Sequence, residues 1–233
     1  MSRVVALARV DLLLAWRRGV VAAAAIVVLV YVSLLRLVPD AIAATALPYL
    51  VFSDPAALGF FFIGGIVLAD RSDGTAAAVA VSPATPGEIL WSRVAVMTAL
   101  GTFGGLAVGA GSGVGIRWSW FLPAVVLTAV VYTCFGYSVA MRSRSVNDYF
   151  ARATAWSIPL FAPLALFAVD PGWTPLAMWP STASLLVLRG AVEPATLSGG
   201  TAGVAFSVLL ASAGLVGWWA LTALRASRSD GRA

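Results

Sequence analysis

The sequence predicts an all-α integral membrane protein, on the evidence of its composition and its hydropathy pattern. Of the 233 residues, 61% are hydrophobic and 11% are charged, whereas a soluble domain is about one quarter charged. The apolar residues form blocks of roughly twenty, the length at which a helix crosses a hydrocarbon core about 30 Å thick. Because lipid offers no hydrogen-bond partners, each block must be a helix. We expect one transmembrane domain, 1–233, with six transmembrane helices at about 19–38, 47–69, 94–116, 121–141, 149–169 and 201–224.

The N-terminal residues 2–18 are too short and too charged to cross a membrane. On a helical wheel, one side carries Arg3, Asp11, Arg17 and Arg18, and the other carries Val5, Ala8, Leu12 and Trp16. A helix with opposed charged and apolar sides lies in the plane of the membrane interface. We therefore expect an N-terminal interfacial (elbow) helix, with a cytosolic helix that only orients the first span as the alternative.

Asp54 stands within the second predicted span, where a charge costs about 2.5–3.5 kcal/mol at a helix centre and is often functional. However, Ser53-Asp54-Pro55 also has the composition of a helix start, because Ser or Asp caps free N–H groups and Pro fits the first turn. The cap interpretation predicts a span that is kinked or restarted there. The alternative makes Asp54 a cation- or proton-handling residue.

Aromatic residues and glycines follow Asp54 on the same span and could line an apolar passage, or could equally face lipid or a neighbouring helix. Two prolines in the fifth span free backbone carbonyls and mark either a mobile helix or a packing bend. The candidates for a pathway through the membrane are therefore Asp54, Phe60, Phe61, Phe62, Gly64, Gly65, Pro159 and Pro163.

The stretch Asp70–Arg93 between the second and third spans is polar at both ends and rich in turn residues. Within it, Thr75–Val81 (TAAAVAV) favours a short helix between glycine and proline turns, and Glu88 opens the next helix. The stretch contains no nucleophile–base pair. It is therefore better suited to docking a partner than to catalysis.

The remaining segments are predicted from the same signals. Gly101, Gly105 and Gly109 form a stripe of small residues that lets helices approach closely in lipid. Asp148 is expected to cap the fifth span. Within the semi-polar segment 170–200, Ser181–Gly190 forms a short amphipathic helix, and the basic tail, 225–233, is expected to be disordered.

The arginines predict the orientation of the chain. Six spans place both termini on one side, and if that side is the cytoplasm, twelve of the fifteen arginines lie inside. Only Arg36, Arg117 and Arg189 lie outside. Because basic residues are retained on the cytoplasmic side, we expect cytoplasmic N and C termini, and we read the net charge of +5 as a topology signal rather than as nucleic-acid binding.

The residue inventory excludes several kinds of chemistry. The chain has no histidine, no lysine and one cysteine, Cys134. This excludes a Cys/His metal site, a catalytic Ser–His or Cys–His pair, and a phosphate-binding loop with its lysine. We expect no catalytic residue, no bound metal and no nucleotide site on this chain, so any energy source must lie on a partner.

The loop resembles the first cytoplasmic loop of ABC-2 type permeases, the membrane subunits of a class of ABC transporters. That loop commonly shows a motif with fixed spacing: an acid, Gly-Thr, a small helix, Thr/Ser-Pro, a Glu and a basic residue. The matching residues in this sequence are Asp73, Gly74-Thr75, Ser82-Pro83, Glu88 and Arg93. Alanines replace the usual Glu and Leu of the small helix. The chain is most similar to the fluoroquinolone-type export permeases, through GFFFIGG, SVNDYFA and WPSTASLLVLRGA.

The resemblance implies the permease subunit of an ATP-driven ABC exporter in a bacterial plasma membrane, which forms half of a pathway for a hydrophobic or amphiphilic, drug-like compound. It implies a cytoplasmic coupling helix docked on a separate ATPase that holds ATP and Mg, a second permease that is identical or homologous, and an outer re-entrant segment before the last span. The coupling residues would be Asp73, Gly74, Thr75, Ala78, Pro83, Glu88 and Arg93. The alternative function is a small ion- or proton-coupled transporter that uses Asp54.

Overall fold

The computed structural model describes residues 3–74, 83–169 and 177–229, and this part of the chain is helical without strands. Its helices are α1 Arg3–Arg17, α2 Val20–Leu37, α3 Asp40–Ala57, α4 Ile63–Ser72, α5 Pro86–Ser112, α6 Trp118–Arg142, α7 Val146–Val169, α8 Pro180–Val192 and α9 Gly199–Ser229. A π-helical turn, Leu58–Phe62, joins α3 to α4, and a 3₁₀ turn, Pro194–Thr196, precedes α9.

Six stretches of the described chain are long and apolar enough to cross a membrane, which agrees with the six predicted spans. They are Val20–Leu37, Asp40–Ser72, Pro86–Ser112, Trp118–Arg142, Val146–Phe167 and Gly199–Ser227. The second stretch combines α3, the π-helical turn and α4 into one long helix. The short helix predicted at Ser181–Gly190 is confirmed as α8, which is buried along most of its length between α3, α6 and α9.

The centre of the bundle is α6, which contacts α3, α5, α8 and α9. Its Tyr132 ring is fully buried and stacks on Phe161 of α7, with 5.6 Å between the ring centroids. Phe52 of α3 meets the same Tyr132 ring edge-on at 5.7 Å. These aromatic contacts bring α3, α6 and α7 together, because helix association in lipid depends on close packing rather than on exclusion of water.

The glycine stripe of α5 faces other helices, as predicted. A Cβ atom added at Gly105 would lie 2.9 Å from a methyl group of Val125, and one at Gly109 would lie 3.1 Å from the ring of Phe121, both on α6. Gly101 is buried as well. The small residues therefore let α5 and α6 approach closely.

Two boundaries and one cap differ from the sequence predictions. The second membrane helix begins at Asp40, so the helix start predicted at Ser53-Asp54-Pro55 is wrong: Ser53 lies inside α3, where its hydroxyl donates to Leu50 O at 2.8 Å. The disordered tail predicted from residue 225 is wrong as far as Ser229, since α9 continues to that residue.

The cap of α7 is Ser145 rather than Asp148. The Ser145 hydroxyl accepts the Asp148 N–H at 3.2 Å, while the Asp148 carboxylate accepts the Arg144 N–H at 2.8 Å. Asp148 therefore stands inside the first turn of the helix, where a carboxylate complements the helix dipole.

The two ends of the bundle are defined by contacts between sequence-distant residues. At one end, which we call the stem end, α1, the end of α4, the start of α5 and the end of α6 meet. At the opposite end, the Arg117 N–H donates to Ala191 O at 2.8 Å and Arg36 Nε donates to Gly111 O at 2.6 Å. These bonds tie α8 to the α5–α6 turn and α2 to α5.

Candidate functional site

The described residues on either side of segment 75–82 are the last turn of α4 and the first turn of α5, and both lie at the stem end. The predicted coupling helix Thr75–Val81, with Ala78 at its centre, lies outside the described residues. On the near side of the gap, Gly74 has φ of +73°, a left-handed conformation that glycine adopts without steric cost. The predicted Gly74 is therefore at a position that turns the chain out of α4.

On the far side of the gap, a reciprocal cap fixes where α5 begins. The Thr85 hydroxyl accepts the Glu88 N–H at 3.2 Å, and the Glu88 carboxylate accepts the Thr85 N–H at 2.7 Å. Pro86 occupies the first turn, where its missing N–H costs nothing. The prediction that Glu88 opens this helix is confirmed. Just before the cap, Pro83 O accepts a hydrogen bond from Arg3 of α1 at 3.1 Å.

Five charged side chains meet below this cap, and we call them the stem cluster: Asp11, Arg18, Asp70, Asp73 and Arg93. Asp70 is its centre, with a side chain that is only 1% exposed. One carboxylate oxygen of Asp70 lies 2.8 Å from Arg18 Nη1, and the other lies 2.5 Å from Arg93 Nη2. Asp70 thus joins α4 both to the α1–α2 junction and to α5.

The interfacial candidate α1 is attached to the same cluster through Asp11. The Ser92 hydroxyl donates to Asp11 Oδ2 at 2.8 Å, and Arg93 Nε lies 3.8 Å from Asp11 Oδ1. Burial raises the pKa of the Asp11 carboxyl, although the neighbouring Arg93 guanidinium and the Ser92 hydroxyl oppose the rise. Of the apolar side given by the helical wheel, Val5, Leu12 and Trp16 are exposed, whereas Ala8 is half-buried and packs against the core.

The outer edge of the cluster is the ion pair between Arg18 Nη2 and Asp73 Oδ2, 3.0 Å apart. The Asp73 side chain is 57% exposed, so this pair is open to solvent, unlike the pairs of Asp70. Arg71, between the two acids, points to another element: its guanidinium donates to Ser143 O at 2.8 Å and Met141 O at 3.3 Å. The end of α4, which leads into the loop, is thereby bonded to the α1–α2 junction, to α5 and to the end of α6.

The predicted coupling residues therefore separate into two kinds. Arg93 is buried and holds α5 to its neighbours, and so it does not present its charge to a partner protein. Asp73 and Glu88 remain accessible at the edge of the stem. Sequence reasoning missed the role of Asp70, Asp11 and Arg18. The available signal was that Asp70 and Arg18 are charges placed immediately beside apolar spans.

The pathway candidates are also divided by the structure. Phe61, Phe62 and Gly65 line a pocket of about 480 Å³ between the start of α2, the π-helical turn with α4, and the start of α7. Phe60 is fully buried in the core instead, and Gly64 is covered by the ring of Tyr149, whose hydroxyl donates to Phe60 O.

The two prolines of α7 lie away from this pocket. Pro159 is exposed and Pro163 is half-buried, and both stand inside an uninterrupted helix. The structure thus brings three of the candidates together around one pocket and leaves both prolines apart from it.

Asp54 lies at the junction of α2, α3 and α5. It is 3% exposed, and a Cβ atom added at Gly104 of α5 would clash with its carboxylate. No hydrogen bond to Oδ2 of Asp54 is found in the described part of the chain. The absence of a side chain at Gly104 is therefore what makes room for this acid.

Among the described residues, no group of His, Cys, Asp or Glu side chains could hold a metal ion. The thiol of Cys134 is buried in α6. The polar groups that converge in this part of the chain are those of the stem cluster, whose geometry connects helices rather than activating a nucleophile.

Comparison with known proteins places these features in a family. The family model described as the fluoroquinolones export permease protein family matches residues 2–226. The fluoroquinolones export permease proteins of two Mycobacterium tuberculosis strains, CDC 1551 / Oshkosh and ATCC 25618 / H37Rv, are each 27% identical to the chain over 188 residues. Each match covers 80% of this chain and 76% of the relative.

Proposed function

The chain belongs to the fluoroquinolones export permease protein family, and on that premise we propose that it is the membrane-spanning permease subunit of an ATP-driven ABC exporter. Its six apolar helices and its family make it a multi-pass membrane protein. In the proposed function it forms half of the pathway by which a hydrophobic or amphiphilic, drug-like compound leaves the cell, and it does not itself hydrolyse ATP.

The stem cluster is the observation that carries this proposal. A loop that receives force from a partner must be attached firmly to the helices that it moves. Asp70 is bonded to Arg18 and Arg93, and Arg71 is bonded to the end of α6, so a displacement of the loop would reach α2, α5 and α6 together. Residues 75–82 are then the segment that docks on the ATPase, with Asp73 and Glu88 at its accessible edges.

The partners follow from the same proposal. The ATP and Mg that drive transport are held by a separate ABC ATPase, and a second permease, either a copy of this chain or a homologue, completes the pathway. The subunit stands in the bacterial plasma membrane with both termini in the cytoplasm, as the excess of arginine at the stem end favours.

Two further elements have proposed positions. The outward-facing apolar side of α1 is suited to contact with lipid at the inner interface, which makes α1 the elbow helix. The helix α8 is an outer re-entrant element, since its buried Thr182 and Ser184 hydroxyls are hydrogen-bonded within the bundle. Thr128 Oγ1 of α6, for example, lies 2.9 Å from Ser184 Oγ.

The test is co-purification with a candidate ABC ATPase from the same organism, combined with drug transport into inverted vesicles. Ala78→Asp places a charge in the docking segment and should abolish both ATPase association and transport. The matched control Val146→Asp adds a charge at the same end but in the first turn of α7, where an acid is favourable, and should leave both unchanged. If both activities persist in Ala78→Asp, the docking role is wrong.

Glu88 allows a second, finer comparison. Glu88→Gln keeps an oxygen that can accept the Thr85 N–H, so the helix cap is retained while the charge is removed. Glu88→Ala removes both the charge and the cap. A docking role for the charge requires loss of ATPase association in both variants, whereas loss in Glu88→Ala alone would assign the residue to the cap.

The second candidate function is a small ion- or proton-coupled transporter that uses Asp54. The observation that favours it is the burial of Asp54 in the middle of a helix, which removes the cap explanation. Asp54→Asn keeps the size of the side chain and removes its charge. Transport that continues without ATP, collapses with the proton gradient and is lost in Asp54→Asn would support this function and contradict an ATP-driven exporter.

A further inference from the structure

A pocket of about 570 Å³ lies at the stem end, between the last turns of α4 and the start of α7. Its volume is within the range of roughly 300–1,000 Å³ that is typical of ligand pockets. Its polar lining comes in two pairs: Arg71 and Ser72 end α4, and Arg144 and Ser145 precede α7. Because two of the membrane-crossing stretches end at these pairs, the pocket lies at the level of lipid headgroups.

Two arginines make this pocket attractive to an anion. The Arg71 guanidinium is held in place by its hydrogen bonds to two carbonyl oxygens at the end of α6. Arg144 is exposed. The nearby acid Asp148 attracts the Arg144 charge, but the Asp148 carboxylate is already paired with Arg152 Nε at 2.7 Å. An anion that enters the pocket therefore meets two guanidinium groups.

The donors of the pocket suit a phosphate group. A guanidinium presents its N–H groups as a planar fork that matches phosphate oxygens. The Ser145 hydroxyl accepts the Asp148 N–H at 3.2 Å and keeps its own O–H to donate. Arg18 of the stem cluster is less suitable, because Asp70 and Asp73 already bind its two terminal nitrogens.

The apolar side of the pocket continues toward the interior of the membrane. Leu68 lines it on α4, and Gly65, one turn earlier, lines both this pocket and the apolar pocket of about 480 Å³ described above. A Cβ atom added at Gly65 would meet nothing within 4 Å, so no side chain separates the two spaces there. The neighbouring pocket has three phenylalanine rings in its walls. A ligand with an anionic head and a long apolar chain would fill both spaces.

We propose that this site binds an anionic phospholipid, with its phosphate between Arg71 and Arg144 and one acyl chain passing Gly65 into the apolar pocket. Basic pockets between membrane helices attract anionic headgroups, and the acyl chain gains by covering apolar walls. The lipid joins the end of α4, which leads into the loop, to the start of α7. The proposal goes beyond the export function and requires only a chain embedded in a membrane, so it is independent of any ATPase partner.

The test measures lipid binding to the full chain in detergent by native mass spectrometry. The probes are dioleoyl phosphatidylglycerol and dioleoyl phosphatidylcholine, which have the same acyl chains, so a difference between them reports the headgroup. The first phosphatidylglycerol should bind with a Kd about tenfold lower than that of phosphatidylcholine, because the choline ammonium is repelled by the arginines.

Matched variants separate the headgroup from the acyl chain. Arg144→Gln should raise the Kd of phosphatidylglycerol about tenfold by removing a charge-assisted hydrogen bond. Its control, Arg225→Gln, removes an exposed arginine of α9 at the same end and should leave Kd unchanged. Gly65→Leu narrows the passage between the two pockets and should weaken both lipids alike. Gly214→Leu, in equally open space on α9, should weaken neither.

Four results would overturn the proposal. Three are equal binding of the two lipids, equal effects of the two arginine variants, and equal effects of the two glycine variants. The fourth is displacement of phosphatidylglycerol by millimolar inorganic phosphate at constant ionic strength, because the site would then hold a soluble phosphate rather than a lipid.

Discussion

Replacement of Asp70 by asparagine should destabilise the protein severely, although it changes a single atom type. The Asp70 side chain is 1% exposed and is the only acid of the stem cluster that bridges both of its arginines. Without the Asp70 charge, the ion-pair partner that Arg93, which is 9% exposed, retains among the described residues is Asp11 at 3.8 Å. Breaking a buried ion pair from one side costs about 3–5 kcal/mol, and because the amide still offers one acceptor we expect a loss of about 3 kcal/mol.

The matched variant is Asp73→Asn. It removes the charge of the other acid that pairs with Arg18, and this acid is exposed. An exposed ion pair contributes about 0–1 kcal/mol. Thermal unfolding in detergent can be followed through the nine tryptophans of the chain. A loss of 1 kcal/mol lowers Tm by about 2–4 °C for a chain of this size, so Asp70→Asn should lower it by about 6–12 °C and Asp73→Asn by no more than about 4 °C.

A second substitution separates the destabilisation caused by the unpaired Arg93 charge from other effects of Asp70→Asn. Adding Arg93→Gln to Asp70→Asn removes the cation that the first change leaves unpaired, so the double variant should recover part of the lost stability. Equal Tm shifts for Asp70→Asn and Asp73→Asn, or a double variant that loses the sum of both single effects, would refute the view that a buried ion pair holds the stem.

Three other changes test the contacts around the π-helical turn and the loop, each by thermal unfolding. Gly64→Ala should cost about 1–3 kcal/mol because its methyl group meets the Tyr149 ring, while Gly65→Ala should be neutral or stabilising by up to about 1 kcal/mol; similar effects would contradict the contact. Tyr149→Phe should cost about 0.5–1.5 kcal/mol by leaving Phe60 O without its donor, and no change would mean that water replaces the hydroxyl. Thr85→Ala should cost about 1 kcal/mol through loss of the α5 cap, and Thr85→Ser should restore it.

The six membrane helices could be predicted because lipid imposes one strong local rule on every span. Backbone groups must be satisfied within the segment, and that requirement is readable from hydropathy alone. The same rule explains the error at Asp54. In water, Ser53-Asp54-Pro55 would be a favourable place to begin a helix, but inside a membrane an interruption there would expose unpaired backbone groups, so α3 continues through it.

The stem cluster could not be predicted, because it depends on which helices meet. Asp70 and Arg18 are 52 residues apart in the chain, and Ser92 and Asp11 are 81 apart. Hydropathy and helical periodicity describe the sides of one helix and do not say which side another helix will cover. The family resemblance names Arg93 as a coupling residue, whereas in the fold it is buried and holds α5 to its neighbours.

The π-helical turn Leu58–Phe62 joins α3 and α4 into one long helix, but it rotates the side chains of α4 about the helix axis relative to those of α3. A π-helical turn holds one residue more than an α-helical turn, and each residue of an α-helix accounts for about 100° of rotation. Deleting one residue here would leave the hydropathy of the span almost unchanged and still turn Asp70 away from Arg93. The number of residues between Asp54 and Asp70 therefore matters to this permease as much as the two acids do, because it sets the direction in which Asp70 points.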